Sequence, residues 1–185
     1  MANCVLVPTK ITAMDVDAYN RVGVATEDIP NGTPLVCGVV SDEANQNNVF
    51  EVTTASAVAA GLWMAYSPEV NVTQDGEYDF KGLVVDPRNF TNVANVPFDM
   101  FKPNPGVDMI QVTTDFFQAE GDPKTVSGAT YVEIQADGTF KAVTSATSSF
   151  AGMQFRIVAT EPIIIASGAI GGEAVDAWIL ECTIN

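Results

Sequence analysis

A chain of 185 residues with 47% apolar composition is long enough to bury one substantial core and too apolar to stay unfolded. Its net charge of −15, from eight Lys and Arg against 23 Asp and Glu, lacks the clustered cations that nucleic acids and anionic membrane surfaces require. It has no histidine, which removes His-dependent triads, Cys-His pairs, zinc-histidine sites and the usual general base near pH 7.

No apolar run approaches the roughly 18 residues that a spanning helix needs. The start, Met1-Ala-Asn-Cys-Val-Leu-Val-Pro8, lacks a positive segment and a long apolar one, so no signal peptide is expected. The sequons at Asn31, Asn71 and Asn89 then read as ordinary polar β loops. Cys4, Cys37 and Cys182 are odd in number and show no CxxC spacing, which predicts free thiols in a reducing compartment rather than a disulfide framework. The acidity favours solubility and is compatible with steering toward a positive protein surface.

In chain order, residues 1–20 read as an N-terminal strand or arm, and residues 21–185 as a single β domain. Asp28-Ile-Pro-Asn-Gly-Thr-Pro34 is a turn, with proline setting φ and Asn-Gly supplying left-handed positions. Leu35–Val40 is predicted as a buried strand, followed by a polar loop and the strand Val49–Thr54. Thr54–Tyr66 reads as a loop or one helical turn followed by a strand. Val70–Asp79 reads as a loop or short hairpin about Asp75-Gly76, and Lys81–Val85 as another strand. Asp86–Gly106 carries four prolines, a density that forbids a central strand. It is expected to be a long ordered excursion packed by Phe90, Phe98, Met100 and Phe101, and loops of this length are usually functional or interfacial. Further strands are expected at Asp108–Phe117, Met153–Thr160, Ile163–Ile165 and Asp176–Ile184.

The segment Ala129–Val143 allows a register to be derived. A two-residue loop at Asp137-Gly138 would pair Ile134 with Lys141, mixing apolar and charged side chains on one face. A three-residue loop, Ala136-Asp137-Gly138, pairs Ile134 with Phe140, Glu133 with Lys141, Val132 with Ala142 and Tyr131 with Val143. That register gives one apolar face and a complementary charge pair, and puts Gly138 at the left-handed position after a type I turn. Turn signals about every ten residues complete an all-β reading. The expected fold is an antiparallel β-barrel or sandwich, with a long proline-rich excursion and at most one short helix.

Catalytic signatures are scarce. No phosphate loop, dinucleotide-binding glycine pattern or esterase elbow can be placed. Among 23 acids a glycosidase-like carboxylate pair can always be chosen, so it carries little weight. Asp75-Gly-Glu-Tyr-Asp79 alternates carboxylates suited to Ca²⁺, yet reads more simply as a solvated turn. Trp63, Tyr66, Tyr78, Phe90, Phe98, Phe101, Phe116, Phe117 and Trp178 could build a sugar platform, but are more often core. No catalytic, cofactor-binding or metal-ligating residue is therefore assigned, and no cofactor is expected.

The order of strand phrases carries a resemblance. Val49–Thr54, Leu62–Val70, Gly106–Thr113, Gly128–Ile134, Asp137–Val143 and Phe155–Val158 together resemble the head decoration, or cement, proteins of tailed bacteriophages. The resemblance covers about residues 30–184 at the level of pattern, and the 86–106 segment departs from it. It implies a β-barrel-like or tulip-like domain without catalytic residues. Such a domain is made in the host cytoplasm and sits on the outer surface of the virion, binding the major capsid protein as a trimer or other symmetric homo-oligomer. The rival expectations are a carbohydrate-binding or adhesion module using exposed aromatics such as Trp63 or Tyr78, and a hydrolase using paired carboxylates.

Overall fold

The computed structural model describes residues 5–11, 16–42, 48–68, 70–75, 78–83, 87–166 and 172–185. It is nearly all β, as composition and turn spacing predict. Among the described residues, fifteen strands are joined by three single turns of 3-10 helix at Asp17–Tyr19, Pro87–Asn89 and Thr114–Phe116, and there is no α-helix.

The first strand, β1 (Leu6–Lys10), forms one edge of a six-stranded sheet. The chain then builds a closed barrel from β2 (Asn20–Val24), β3 (Pro34–Val40), β4 (Val49–Thr54), β5 (Trp63–Ala65) and β8 (Phe98–Phe101), in the order β2-β4-β3-β5-β8. One pair, β2 with β4, is parallel, and the other barrel pairings are antiparallel. A hairpin of β6 (Val70–Asp75) and β7 (Tyr78–Leu83) is inserted before β8. The remaining strands are β9 (Met109–Thr113), β10 (Tyr131–Ile134), β11 (Phe140–Val143), β12 (Gln154–Thr160), β13 (Ile163–Ala166), β14 (Gly172–Val175) and β15 (Ala177–Ile184). The antiparallel sheet runs β1-β9-β15-β12-β10-β11, and β13 pairs with β14.

The hairpin β10–β11 adopts the three-residue register, pairing Tyr131 with Val143 through to Ile134 with Phe140. The Gly138 N–H donates to the Gln135 carbonyl at 3.0 Å, closing the type I turn, and Gly138 follows at φ +79°. Val132, Ile134, Phe140 and Ala142 are all buried on the predicted apolar face. Glu133 does sit opposite Lys141, but it too is buried, and its Oε1 accepts from Gln154 Nε2 at 3.3 Å. Two local expectations are corrected. In the 28–34 turn only Gly32 is left-handed, at φ +83°, whereas Asn31 keeps negative φ and uses its side chain instead. Its Nδ2 donates to the Ser67 carbonyl and its Oδ1 accepts from the Ser67 N–H and from Asn92 Nδ2, tying three loops together.

The larger correction concerns 86–106. Pro97 and Pro103 flank a strand rather than forbid one. Between them β8 pairs with β2 on one side and β5 on the other and closes the barrel. Proline removes a ladder donor only where it sits, and both prolines lie outside the four paired residues. The expected packing residues Phe90, Phe98, Met100 and Phe101 are all buried.

Alternation on β5 and β8 divides their side chains between two cores. Trp63, Ala65, Phe98 and Met100 point into the barrel with Ala25, Ile29, Leu35 and Val52. Leu62, Met64 and Phe101 point the other way, against Leu6, Ile110, Val112, Phe155, Trp178 and Leu180 of the six-stranded sheet. Phe116 and Phe117, in and just after the 3-10 turn that follows β9, bring their rings to 5.1 and 5.8 Å from Phe140. Asn185 seals the seam between barrel and sheet. Its Oδ1 accepts from the Leu62 N–H at 2.9 Å, and its Nδ2 donates to the carbonyls of Leu62 and Pro103 at 3.0 Å.

Two glycines test this account. A Cβ on Gly138 would meet only Pro34 Cδ at 3.6 Å, so Gly138→Val should cost the left-handed strain, roughly 1–2 kcal/mol. A Cβ on Gly32 would lie 2.3 Å from the buried Phe116 ring in addition to its positive φ, so Gly32→Ala should lower the urea midpoint further than Gly138→Ala. The reverse order would contradict the packing of Phe116. Asn185→Leu should cost about 1–3 kcal/mol by leaving part-buried backbone groups unpaired, measured by denaturant titration, and wild-type stability in that variant would show that the seam does not matter.

Candidate functional site

The barrel is filled by alternate residues of its strands, and one mouth is closed by a cation. Arg21 pairs with Met100 and Gly23 with Phe98, so both face inward. Gly23 leaves room there: a Cβ would lie 3.1 Å from a Val52 methyl and 3.3 Å from the Met100 sulfur, so those side chains would have to shift by a few tenths of an ångström. The Arg21 guanidinium lies 4.3 Å from the Phe50 ring centroid and 4.7 Å from that of Trp63, and Nη1 is 3.3 Å from the Cys37 sulfur. A planar, weakly hydrated guanidinium can stack on both rings, which an ammonium would do less well.

Beside this mouth the β3–β4 hairpin runs past the end of β5. β3 pairs with β5 only at Pro34 and Leu35, whereas its pairing with β4 continues to Val40. Residues 36–40 therefore have no strand partner on the β5 side among the described residues. Val36, Val39 and Val40 are 43%, 70% and 49% exposed, three of the large apolar side chains left in water within five residues. A bulge at Gly38-Val39 turns Val39 outward. Gly38 accommodates it, because a Cβ there would sit 2.9 Å from the Glu51 carbonyl oxygen. Asp42 and Glu51 are exposed nearby in the chain and ladder. This corrects the expected buried strand: Leu35 is buried, but the outer half is not. A continuous apolar run cannot report its own burial, since that depends on what lies beside it.

Clefts also open among the described residues. One of about 510 Å³ opens along Glu51, Val52 and Thr53 where β2 stops, closed by Thr26 and Asn95. A second, about 330 Å³, lies outside β2 and β8 between Tyr66, Pro68 and Asp99. The third, about 240 Å³, separates Glu27 and Asp28 from the hairpin turn at Asp137. Its acids are engaged in the fold. Glu27 accepts from Thr54 Oγ1, Asp28 from the Ala94 N–H, and Asp137 from both the N–H and the hydroxyl of Thr139. Those Thr139 bonds hold the Asp137 carboxyl below its ordinary value. Asp115 is shifted upward by burial, partly offset by Arg88.

The other sequence candidates are dispersed. Trp63, Phe90, Phe98, Phe101, Phe116, Phe117 and Trp178 are buried, and Tyr66 is half-buried. The side chains of Tyr78 and of Asp75–Asp79 lie outside the described residues. No group of three metal-ligating side chains occurs among those described. Cys37 and Cys182 are free thiols, and Cys4 lies outside the described residues. No family model matches this chain, and neither does any curated protein or solved structure.

Burial pushes the Cys182 thiol up to about 12, with Asp108 adding to the shift. In a Cys4→Ser background at pH 8, a thiol reagent should label Cys37 in the folded protein and reach Cys182 only on unfolding. Above its ordinary pKa the unfolded chain loses a proton that folded Cys182 retains, so stability falls as pH rises. The slope due to this group is at most about 1.4 kcal/mol per pH unit. Cys182→Ala should flatten the decline in urea midpoint between pH 9 and 11, and an unchanged decline would contradict the burial of this thiol.

Proposed function

We propose that this protein is a non-enzymatic structural protein of a virion. In this reading it binds the outer surface of an assembled phage capsid and bridges neighbouring copies of the major capsid protein, as a trimer or other symmetric cluster. The observation that carries it furthest is the outer half of β3: an apolar, unpaired strand edge on an otherwise well-packed, strongly acidic β protein. Contiguous exposed apolar side chains on a stable fold favour contact with protein. The resemblance of the strand phrases to decoration proteins points the same way. A ligand that binds only the assembled shell stabilises it by mass action, and many copies act together. Sites where several subunits meet exist only after assembly.

The carbohydrate-binding alternative depends on exposed aromatics, and Trp63, one of its two named residues, lies inside the barrel under Arg21. The test is co-sedimentation with expanded shells of the phage whose genome encodes this chain. Shells should retain the protein and gain resistance to heat, whereas free capsid subunits should bind it weakly. Shells that gain neither bound density nor heat resistance would end the decoration reading.

A further inference from the structure

We infer that residues 36–40 of β3 are a docking edge for one extended segment of a cationic partner. That segment adds as a strand on the side where β5 is absent. The inference rests on the decoration reading only for the partner's identity, and its geometry stands apart from it.

Three observations converge. First, the edge is open among the described residues: β5 pairs with β3 only at Pro34 and Leu35. Second, it is weakly guarded. Natural edge strands are protected by lysine, proline, inward charges, bulges or covering loops. Another edge of this protein, β11 at the end of the six-stranded sheet, shows such cover, since the Gln118 N–H donates to the Phe140 carbonyl and the Ala142 N–H to the Gly121 carbonyl, laying a loop along it. Residues 36–40 carry no charge and no proline. Among the described residues their guard is the Gly38-Val39 bulge, which leaves Val39 exposed rather than hidden. A partner segment is therefore held by the three valines as much as by backbone bonds.

Third, charge selects the occupant. A second copy of this chain would bring another −15 to the edge, with Asp42 and Glu51 of each copy nearby. Like charges oppose that pairing and lower its on-rate, whereas a segment flanked by Lys or Arg is attracted. Arg21, the cation at this mouth among the described residues, is stacked on Phe50 and Trp63. The occupant is thus an extended partner segment with small β-branched side chains between basic residues.

Hydrogen exchange followed by mass spectrometry tests this on the whole protein, free and on expanded shells. The outward-facing amides of residues 36–40 should exchange at least tenfold more slowly on the shell. Val39→Asp should weaken shell binding at least tenfold, while the same change at the exposed Val158 of β12 should not, with both variants first shown to be folded by thermal melting. Shell binding without protection of residues 36–40 would overturn the docking edge and leave the decoration reading standing. If shells bind nothing, the decoration reading falls, and two synthetic peptides decide the edge alone. Each alternates valine and threonine, one flanked by lysines and the other by glutamates. Protection by the lysine peptide alone supports the edge, whereas protection by both or by neither overturns it. Dimerisation of the free chain with residues 36–40 protected would make a second copy the occupant and also overturn it.

Discussion

Two short strands, β5 and β8, hold side chains in two cores at once, and the rest of the molecule depends on that division. Trp63, Ala65, Phe98 and Met100 fill the barrel while Met64 and Phe101 enter the core under the six-stranded sheet. All three residues of β5 are buried, so it offers no solvent side on which a polar residue could rest, whereas β8 keeps only Asp99 exposed. A slip of one residue would exchange the two sets, sending Trp63 toward Phe155 and Met64 toward Leu35, so both cores hold one register. Truncating Met64 or Phe101 would open a cavity at the junction, a change that costs about 2–5 kcal/mol in well-packed cores.

The seam between barrel and sheet is polar but satisfied. Asn185 inserts its amide between Leu62 and Pro103, and Asn31 and Asn92 stitch the loops at the opposite side of β5. Each of these amides serves several backbone or side-chain groups, and among the described residues no buried side-chain nitrogen or oxygen lacks a partner. Exposed ion pairs such as Lys124–Asp176 and Arg156–Glu181 add little by comparison, because water screens them. Stability in this acidic chain comes from apolar burial and from amides that bridge segments.

The same packing determines where the surface is left unfinished. β5 is three residues long because Gly61, at φ +74°, turns the chain before it can follow β3 farther. The outer half of β3 thereby loses a neighbour and keeps its valines in water. Arg21 lies over Phe50 and Trp63 at the barrel mouth beside it.

What the sequence by itself determined is local. The register of β10–β11 followed from pairing rules over some fifteen residues, because a hairpin's alignment depends on its own turn and on side chains a few positions apart. The all-β class followed from strand spacing and turn residues, and the core role of the aromatics from their apolar area. Tertiary structure decided the rest. The strand between Pro97 and Pro103 forms because β2 and β5 stand on either side of it, partners 79 and 37 residues away by the Arg21↔Met100 and Met64↔Phe101 pairings. The parallel pairing of β2 with β4 and the Asn185 clamp likewise join distant segments. Whether Leu35–Val40 was buried or exposed depended on the length of β5, a neighbour in space. Burial is a property of what surrounds a strand, and no run of apolar residues encodes its own surroundings.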